Sequence, residues 1–436
     1  MATRFTEVIR RKRDGLALTA EEVRDFVRGL TDGLVRDAEL GAFLMAATCC
    51  GMTPAEMAAL AAAVRDSGTV LDLSHLDGPR VDKRSTGGVG DKTSLLLAPW
   101  VAAAGVFVPM MSGPGLGHSG DTTEKLDAIP GYKTELPTSE FLRVVRECGY
   151  SIIKTPDTIA PADRRMNCAR TQTGTLNSIP LITASILSRK LAGGIDSLVV
   201  DVKTGSGALL ARRAQAEELM RGLVEAGNLV GMRVAAVLSS MASPLGRMVG
   251  YALEIRETVE SLRNEGPPDV TELTRLLAVE MLVLAGRSEP RAKLGALLDS
   301  LLESGSVAET WQRNVELQGG DPRVLDDPAL LPRARHRAEV VSRETGHVLE
   351  IDARAIGSSA KRLALRPGEN EQIVDPSAGV ELQVAIGDLV ERGQPVAVLH
   401  SNYLEQIETE TAEVAAAIRF GNSAPQIVSR VLRRHE

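Results

Sequence analysis

Lys83, Arg84, Ser85 and Ser94 sit within one glycine-punctuated run, KRSTGGVGDKTS. Glycines let a backbone approach an anion closely, successive N–H groups form a donor nest, and an ammonium with two hydroxyls adds charge and direction. Such a set is suited to phosphate. A second run, MSGPGLGHSGDTTEKL, brings Ser112 and Thr122 and opens a helix near Thr122, so the hydroxyls of both runs can converge on one anion. Asp121 fits beside an anion only as the cap of that helix or as the holder of a hydroxyl, and His118 either bonds phosphate or braces its turn. Neither run contains GxGxxG or GxxxxGK[ST], so the dinucleotide and P-loop signatures are both missing. A third segment, ADRRMNCAR, is followed by Ser185, Arg189 and Lys190. Ser185 and Arg189 are four apart, hence on one helix face, and can offer a hydroxyl and a guanidinium to a planar ligand, with Arg170 as a second fork. Lys190 reads more readily as surface charge. A fourth glycine-rich segment, DVKTGSGA, reads as a strand end near the cleft.

These side chains need a scaffold, and the chain of 436 residues is long enough for about three domains. Up to about residue 65 it reads as helical. Thr19-x-x-Glu22 and Thr53-Pro-x-Glu56 are capping boxes, and Val23, Phe26, Val27 and Leu30 line one face. From about residue 68 the texture changes to short apolar runs (TVLDL, SLLLAPWVAAAGVFVPMM, SLVVDVK, MRVAAVLSS) that read as buried parallel strands alternating with helices. Asn177 to Leu191 reads as a helix that returns to the N-terminal bundle. Helical patterns at Leu273 to Leu284 and Arg291 to Leu302 precede breaks near residue 330, after which a small β-rich module closes with a helix around Glu408 to Ile418. The expected fold is therefore α/β with a discontinuous all-helical domain, residues 1–66 plus 162–193. An α/β phosphate-binding domain takes 67–161 plus 194–330, and a C-terminal α+β module takes 331–436.

Composition narrows the function. A formal charge of −7 gives no support to a nucleic-acid surface. Cys49, Cys50, Cys148 and Cys168 are too few for a disulfide scaffold and read as buried thiols in a reducing compartment. The first residues carry charge without a following apolar run, and no uninterrupted apolar stretch reaches the roughly 18 residues of a membrane span. The expectation is a cytoplasmic protein without a membrane partner.

Together the segments resemble the thymidine/pyrimidine-nucleoside phosphorylase family, over nearly the whole chain. The likeness runs from IRRKRDG through KRSTGGVGDKTS, SGPGLGHSGDTTEKLDAIPG, SIPLITASILSRKLA and DVKTGSGA to GDLVERGQPVAVLHS. The resemblance implies a helical dimerisation domain, an α/β domain, a cleft between them and a small C-terminal β module. The architecture is shared more widely with anthranilate phosphoribosyltransferases. It also implies a transferase in which inorganic phosphate, a co-substrate, attacks C1′ of a pyrimidine nucleoside to give free base and pentose 1-phosphate, in a homodimer without an organic cofactor. Carried over by position, Lys83, Ser85, Ser94, Ser112 and Thr122 hold phosphate. Asn167, Arg170, Ser185, Arg189, Lys190 and Leu209 face the base, and Arg84, Arg170 and Arg189 are the catalytic cations.

The chain departs from the family pattern at several of these positions. Arg84 stands for a histidine, Arg189 for a lysine, Pro114 for an arginine, Asp121 for a glycine, Asn167 for a tyrosine and Leu209 for a phenylalanine. Arginine stays charged and is a poor general acid, but it can stabilise a developing base anion. The exchanges leave two alternatives open, phosphorolysis of an unusual or modified nucleoside and an inactive nucleoside- or phosphate-binding homologue. Near Gly90 and Glu257 some family members bind a monovalent or calcium ion; here Lys92 offers its ammonium instead. The C-terminal GDLVERGQPVAVLHS resembles a biotinyl/lipoyl hammerhead but lacks the carrier lysine, which makes the module structural.

Overall fold

The computed structural model describes residues 4–113, 120–365, 374–426 and 429–435. Pro114 and His118 therefore lie outside the described residues. The chain opens with four helices, α1 (Arg4–Arg13), α2 (Ala20–Thr31), α3 (Asp37–Cys50) and α4 (Pro54–Arg65). Both expected capping boxes form: Thr19 and Thr53 accept from the N–H of Glu22 and Glu56, whose carboxylates reach back to the cap. Then follow β1 (Val81–Ser85), α5 (Thr93–Ala103), β2 (Val108–Ser112), α6 (Thr122–Leu126), α7 (Thr138–Cys148), β3 (Tyr150–Lys154), α8 (Pro161–Thr173) and α9 (Ile179–Ala192). Next come β4 (Ser197–Thr204), α10 (Arg213–Leu229), β5 (Arg233–Ser240), β6 (Met248–Val249) and four further helices, α11 (Tyr251–Leu262), α12 (Pro268–Leu284), α13 (Arg291–Glu303) and α14 (Ser306–Leu317).

The last segment comprises β7 (His336–Val341), β8 (Gly346–Ile351), α15 (Ala353–Ala364), β9 (Gly379–Leu382), β10 (Leu389–Val390), β11 (Pro395–Ser401), α16 (Leu404–Ala416), β12 (Ile418–Gly421) and β13 (Val431–His435). The central sheet has the order β1-β4-β5-β13; its first three strands are parallel and fully or largely buried. β2 and β3 form a separate parallel pair. Functional loops belong at the carboxyl ends of such strands, and the first two glycine runs do leave β1 and β2 there.

Two of the apolar runs differ from the strand expectation. TVLDL forms no strand, and the first half of SLLLAPWVAAAGVFVPMM is α5, buried on all sides from Thr93 to Val101. A helix that is apolar all round shows no amphipathic period, so it reads like a buried strand. The cysteines also differ, because Cys49, Cys50 and Cys168 are exposed. Two strand exchanges have no local signature: β6 pairs with β9 of the C-terminal module, and β13 returns antiparallel to β5 in the central sheet.

Two apolar cores flank the central sheet. One joins α2–α4, α8, α9 and α10 to residues of β4 and β5, including Leu198, Val200 and Leu238. The other packs α5 and α11–α14 against Val81 and Val199 and continues into the C-terminal module. Between them lies the cleft that holds the polar runs.

Candidate active site

The loop after β1 builds the first wall. Lys83 is buried, and its ammonium donates to Thr93 Oγ1 at 2.6 Å and Ser94 Oγ at 3.2 Å. Ser85 Oγ donates to Asp91 Oδ2 at 2.6 Å and accepts from the Gly87 N–H at 3.2 Å. Asp91 faces both Lys83, at 4.0 Å, and Lys203, at 3.7 Å. Burial opposes the charge on Asp91, but the Lys203 and Lys83 ammoniums, with the Ser85 and Thr93 hydroxyls, hold its carboxyl well below the usual range. Burial also lowers the Lys83 pKa against the pull of Asp91 and Asp201. An incoming anion would restore what burial removes, because it favours the charged ammonium.

The segment after β2 builds the opposite wall. Ser112 Oγ donates to Asp121 Oδ1 at 2.7 Å, and the same oxygen accepts from Thr122 N–H at 2.6 Å. Asp121 thus both caps α6 and holds a hydroxyl, the two roles that reconcile it with an anion site. Lys83, Ser85, Ser94, Ser112 and Thr122 line one cavity of about 60 Å³, sized for a small polar group.

A second cavity of about 630 Å³ opens beside it, within the range of small-molecule sites. Asn167 and Arg170 of α8, Ser185 and Arg189 of α9, and Leu209 all line it. Arg189 pairs with Asp163 at 3.3 Å and donates through Nη2 to Ser185 Oγ at 3.4 Å. Its guanidinium lies so close to Gly113 that a Cβ there would be 2.1 Å from Nη1, so this glycine admits the arginine. Arg170 is less free than a second ligand fork would be. It donates to Asn167 Oδ1 at 2.8 Å and to the Leu176 carbonyl at 2.7 Å.

Lys190 is placed differently from both of its expected roles. It is buried rather than surface charge, pairs with Asp82, donates to the Met111 carbonyl at 3.1 Å and lines the smaller cavity, not the larger one. Arg84 lines both cavities, and its buried Nε has no hydrogen-bond partner among the described residues. Burial first, and then the nearby Arg189 charge, push its pKa down to about 10, so it remains a cation at neutral pH. Burial likewise pushes Arg170 to about 10, with Asp163 opposing and Arg189 assisting.

Sequence reasoning assigned no role to Asp163, Asp91 or Lys203. Asp163 was legible as the residue four before Asn167 on α8, and Asn167 Nδ2 does donate to it at 2.8 Å. Asp91 lies within the glycine run itself, where lysines need a counter-charge. Lys203 pairs with Asp201 at 2.5 Å two residues before it on β4, a local spacing, whereas its approach to Asp91 at 3.7 Å arises only when β4 is set beside β1.

Near Gly90 and Glu257, where the resemblance left a cation site possible, the chain places the side chain of Lys92. The Lys92 ammonium already occupies that position, paired with Glu257 and donating to the carbonyls of Leu245 at 2.9 Å and Met248 at 3.0 Å. Among the described residues no cluster of three or more His, Cys, Asp or Glu side chains is placed to hold a metal ion.

Comparison with known proteins agrees with this layout. Residues 6–68 match the helical bundle domain of a glycosyl transferase family, residues 77–308 its a/b domain, and residues 347–421 the pyrimidine nucleoside phosphorylase C-terminal domain. The chain is 42% identical to a pyrimidine-nucleoside phosphorylase of Staphylococcus haemolyticus, with 92% of each protein covered. It is 40% identical to that of Bacillus subtilis, over 98% of this chain and 99% of the relative. The Geobacillus stearothermophilus protein is 38% identical over 97% and 98%. Among solved structures, anthranilate phosphoribosyltransferase from Thermus thermophilus is similar with a TM-score of 0.59 and 21% identity, covering 71% of this chain and 98% of that one. That likeness concerns the fold alone.

Proposed function

The chain belongs to the pyrimidine-nucleoside phosphorylase family, and from that premise we propose that it is a pentosyltransferase that cleaves a pyrimidine nucleoside with inorganic phosphate. One observation carries the assignment of substrates to cavities. The small and the large cavity share a wall of Arg84, Ser85, Thr86, Ser112 and Asp121. Phosphate takes the small one, where Lys83, Ser85, Ser94, Ser112 and Thr122 hold it. The nucleoside takes the large one, and C1′ lies at the shared wall.

A phosphate oxygen then forms a bond to C1′ as the bond from C1′ to the base nitrogen breaks. The electron pair leaves with the base, and the proton of hydrogen phosphate ends on the released base, so that atoms and charge balance. Arg84 and Arg189 lower the barrier electrostatically, since negative charge grows on the base carbonyls only as the bond breaks. Asp163 holds Arg189 in place, and Arg170 braces Asn167. No described residue lining the large cavity is aromatic; its apolar surface comes from aliphatic side chains, among them Ile159, Leu176, Ile182, Ile186 and Leu209. That favours, as a second reading, a base with a larger 5-substituent than uracil or thymine.

The assembly we propose is a homodimer through the helical domain, checked by sedimentation. The cytoplasm is the compartment we assign. Three exposed free thiols support it, and among the described residues no helix is long and apolar enough to cross a membrane.

The deciding experiment is phosphate-dependent base release from a panel of pyrimidine, purine and modified nucleosides. Matching amounts of base and pentose 1-phosphate are expected from pyrimidine nucleosides. A folded protein that binds nucleoside or phosphate and releases no base from any of them would instead be a binding homologue.

Asp121 supplies a quantitative check. Its carboxylate places a negative charge on the wall of the phosphate cavity, while its geometry caps α6 and holds Ser112. Asp121→Asn keeps an acceptor at the cap and removes the charge, worth on the order of 1 kcal/mol at short range. The phosphate KM should fall about fivefold at fixed ionic strength. A KM that stays constant or rises would mean that the carboxylate does not oppose phosphate.

A further inference from the structure

Lys92 makes no contact with either cavity, yet it is a fully buried lysine at the far end of the first glycine run. Its three ammonium hydrogens have three acceptors, the Glu257 carboxylate and the carbonyls of Leu245 and Met248. Glu257 is itself fixed from the other side, accepting from the backbone N–H of Arg247 at 2.8 Å and of Met248 at 3.3 Å. Burial opposes the Lys92 charge, but Glu257 and then Glu254 outweigh it and raise the pKa above the ordinary lysine value.

Glu257 lies one helical turn from Glu254 on α11, and Glu254 pairs at 2.6 Å with Lys125 of α6. Lys125 also donates to the Asp91 carbonyl at 2.9 Å. One helix therefore anchors both walls of the small cavity, through Lys92 for the β1 loop and through Lys125 for α6. Gly90 has a φ of +70°, and the Leu245 carbonyl lies 2.5 Å from where its Cβ would be, so the loop runs directly against the Lys92 cage.

We propose that Lys92 is a built-in cation: its ammonium occupies an oxygen cage that a free ion would otherwise fill, and it positions the phosphate-binding loop without any added metal. Three oxygens and a lysine side chain leave no room for the six to eight oxygen ligands of a calcium ion. The kinetic consequence rests on the phosphate reading above, whereas the thermal consequence does not.

The test compares wild type and Lys92→Ser in potassium, sodium, ammonium and choline chloride at one ionic strength, reading melting temperature and phosphate KM. Wild type should be indifferent to the cation in both. In choline, Lys92→Ser should melt lower and show a phosphate KM at least about tenfold higher, because a buried carboxylate has lost its partner. Potassium or ammonium should restore both. Melting of Lys92→Ser restored by potassium or ammonium, in a protein whose wild type releases no base, would indict the phosphate reading and leave the cage intact. Specific stabilisation or activation of wild type by potassium would overturn the proposal. So would a Lys92→Ser protein unchanged in choline, or one damaged in every salt, since the latter indicates packing alone. If Lys92→Ser does not fold in any salt, the wild-type series decides by itself, and Lys92→Met, which fills the space without charge, should raise phosphate KM with no cation restoring it.

Discussion

Lys83→Met should lower kcat/KM for phosphate by about 10³-fold, the upper end of what one charged or oriented donor contributes to a reacting anion. The size follows from its surroundings. Lys83 is buried, its partners Thr93 and Ser94 are neutral, and Asp91 and Asp201 stand behind it. Without the ammonium, Asp91 and Asp201 keep Lys203 as a counter-charge, but the cavity loses the cation beside the Ser94 hydroxyl and holds the dianion far less well. Methionine nearly matches the volume, which separates charge from packing. The measurement is base release against phosphate concentration, with nucleoside affinity measured separately by calorimetry. Nucleoside affinity should change by less than about threefold if the base takes the other cavity, as proposed. A loss below tenfold in the phosphate term would place the phosphate elsewhere.

How far the site could be read from sequence depended on whether its geometry is local. The capping boxes at Thr19 and Thr53, the cap at Asp121 and the Ser185 and Arg189 pair are all set by spacings of four residues or fewer. Each was visible, and each forms. The convergence of Ser85, Ser94, Ser112 and Thr122 on one cavity was visible because each stands in or beside a glycine-rich run that follows an apolar strand. What stayed hidden was long-range pairing. Lys190 looked exposed because Asp82, its partner, lies 108 positions earlier, on β1. The return of β13 to the central sheet had no local signature either, since a five-residue strand at the chain end reads the same in any sheet. α5 was obscured for the opposite reason, being too uniformly apolar to show a period. The family resemblance supplied the order of the domains but none of these three details, and at Arg84, Arg189, Asp121 and Lys92 it described residues this chain does not have. There the chemistry has to be argued from charge and distance.

Arg84→Met and Arg189→Met should each lower kcat/KM for uridine by about 10²-fold, and the loss should shrink as the leaving base becomes more acidic. With 5-fluorouridine, whose base carries negative charge more easily, the loss should be roughly tenfold smaller, since less of the barrier depends on external cations. A loss of equal size for both bases would mean that the arginines bind substrate and transition state alike. The two line the same cavity and act on the same developing charge. The double variant should therefore lose less than the product of the single losses. Arg84→His tests the same logic through pH. Histidine titrates near 6.5 and helps the departing base only while protonated, so the variant's rate should fall as pH rises through that value. Arg84, still charged until about 10, imposes no such limb on the wild type over the neutral range. Corrected for phosphate ionisation, the wild-type profile should be flat where the variant's declines. A wild-type profile declining in parallel would mean that another titrating group, rather than a fixed cation, stabilises the departing base.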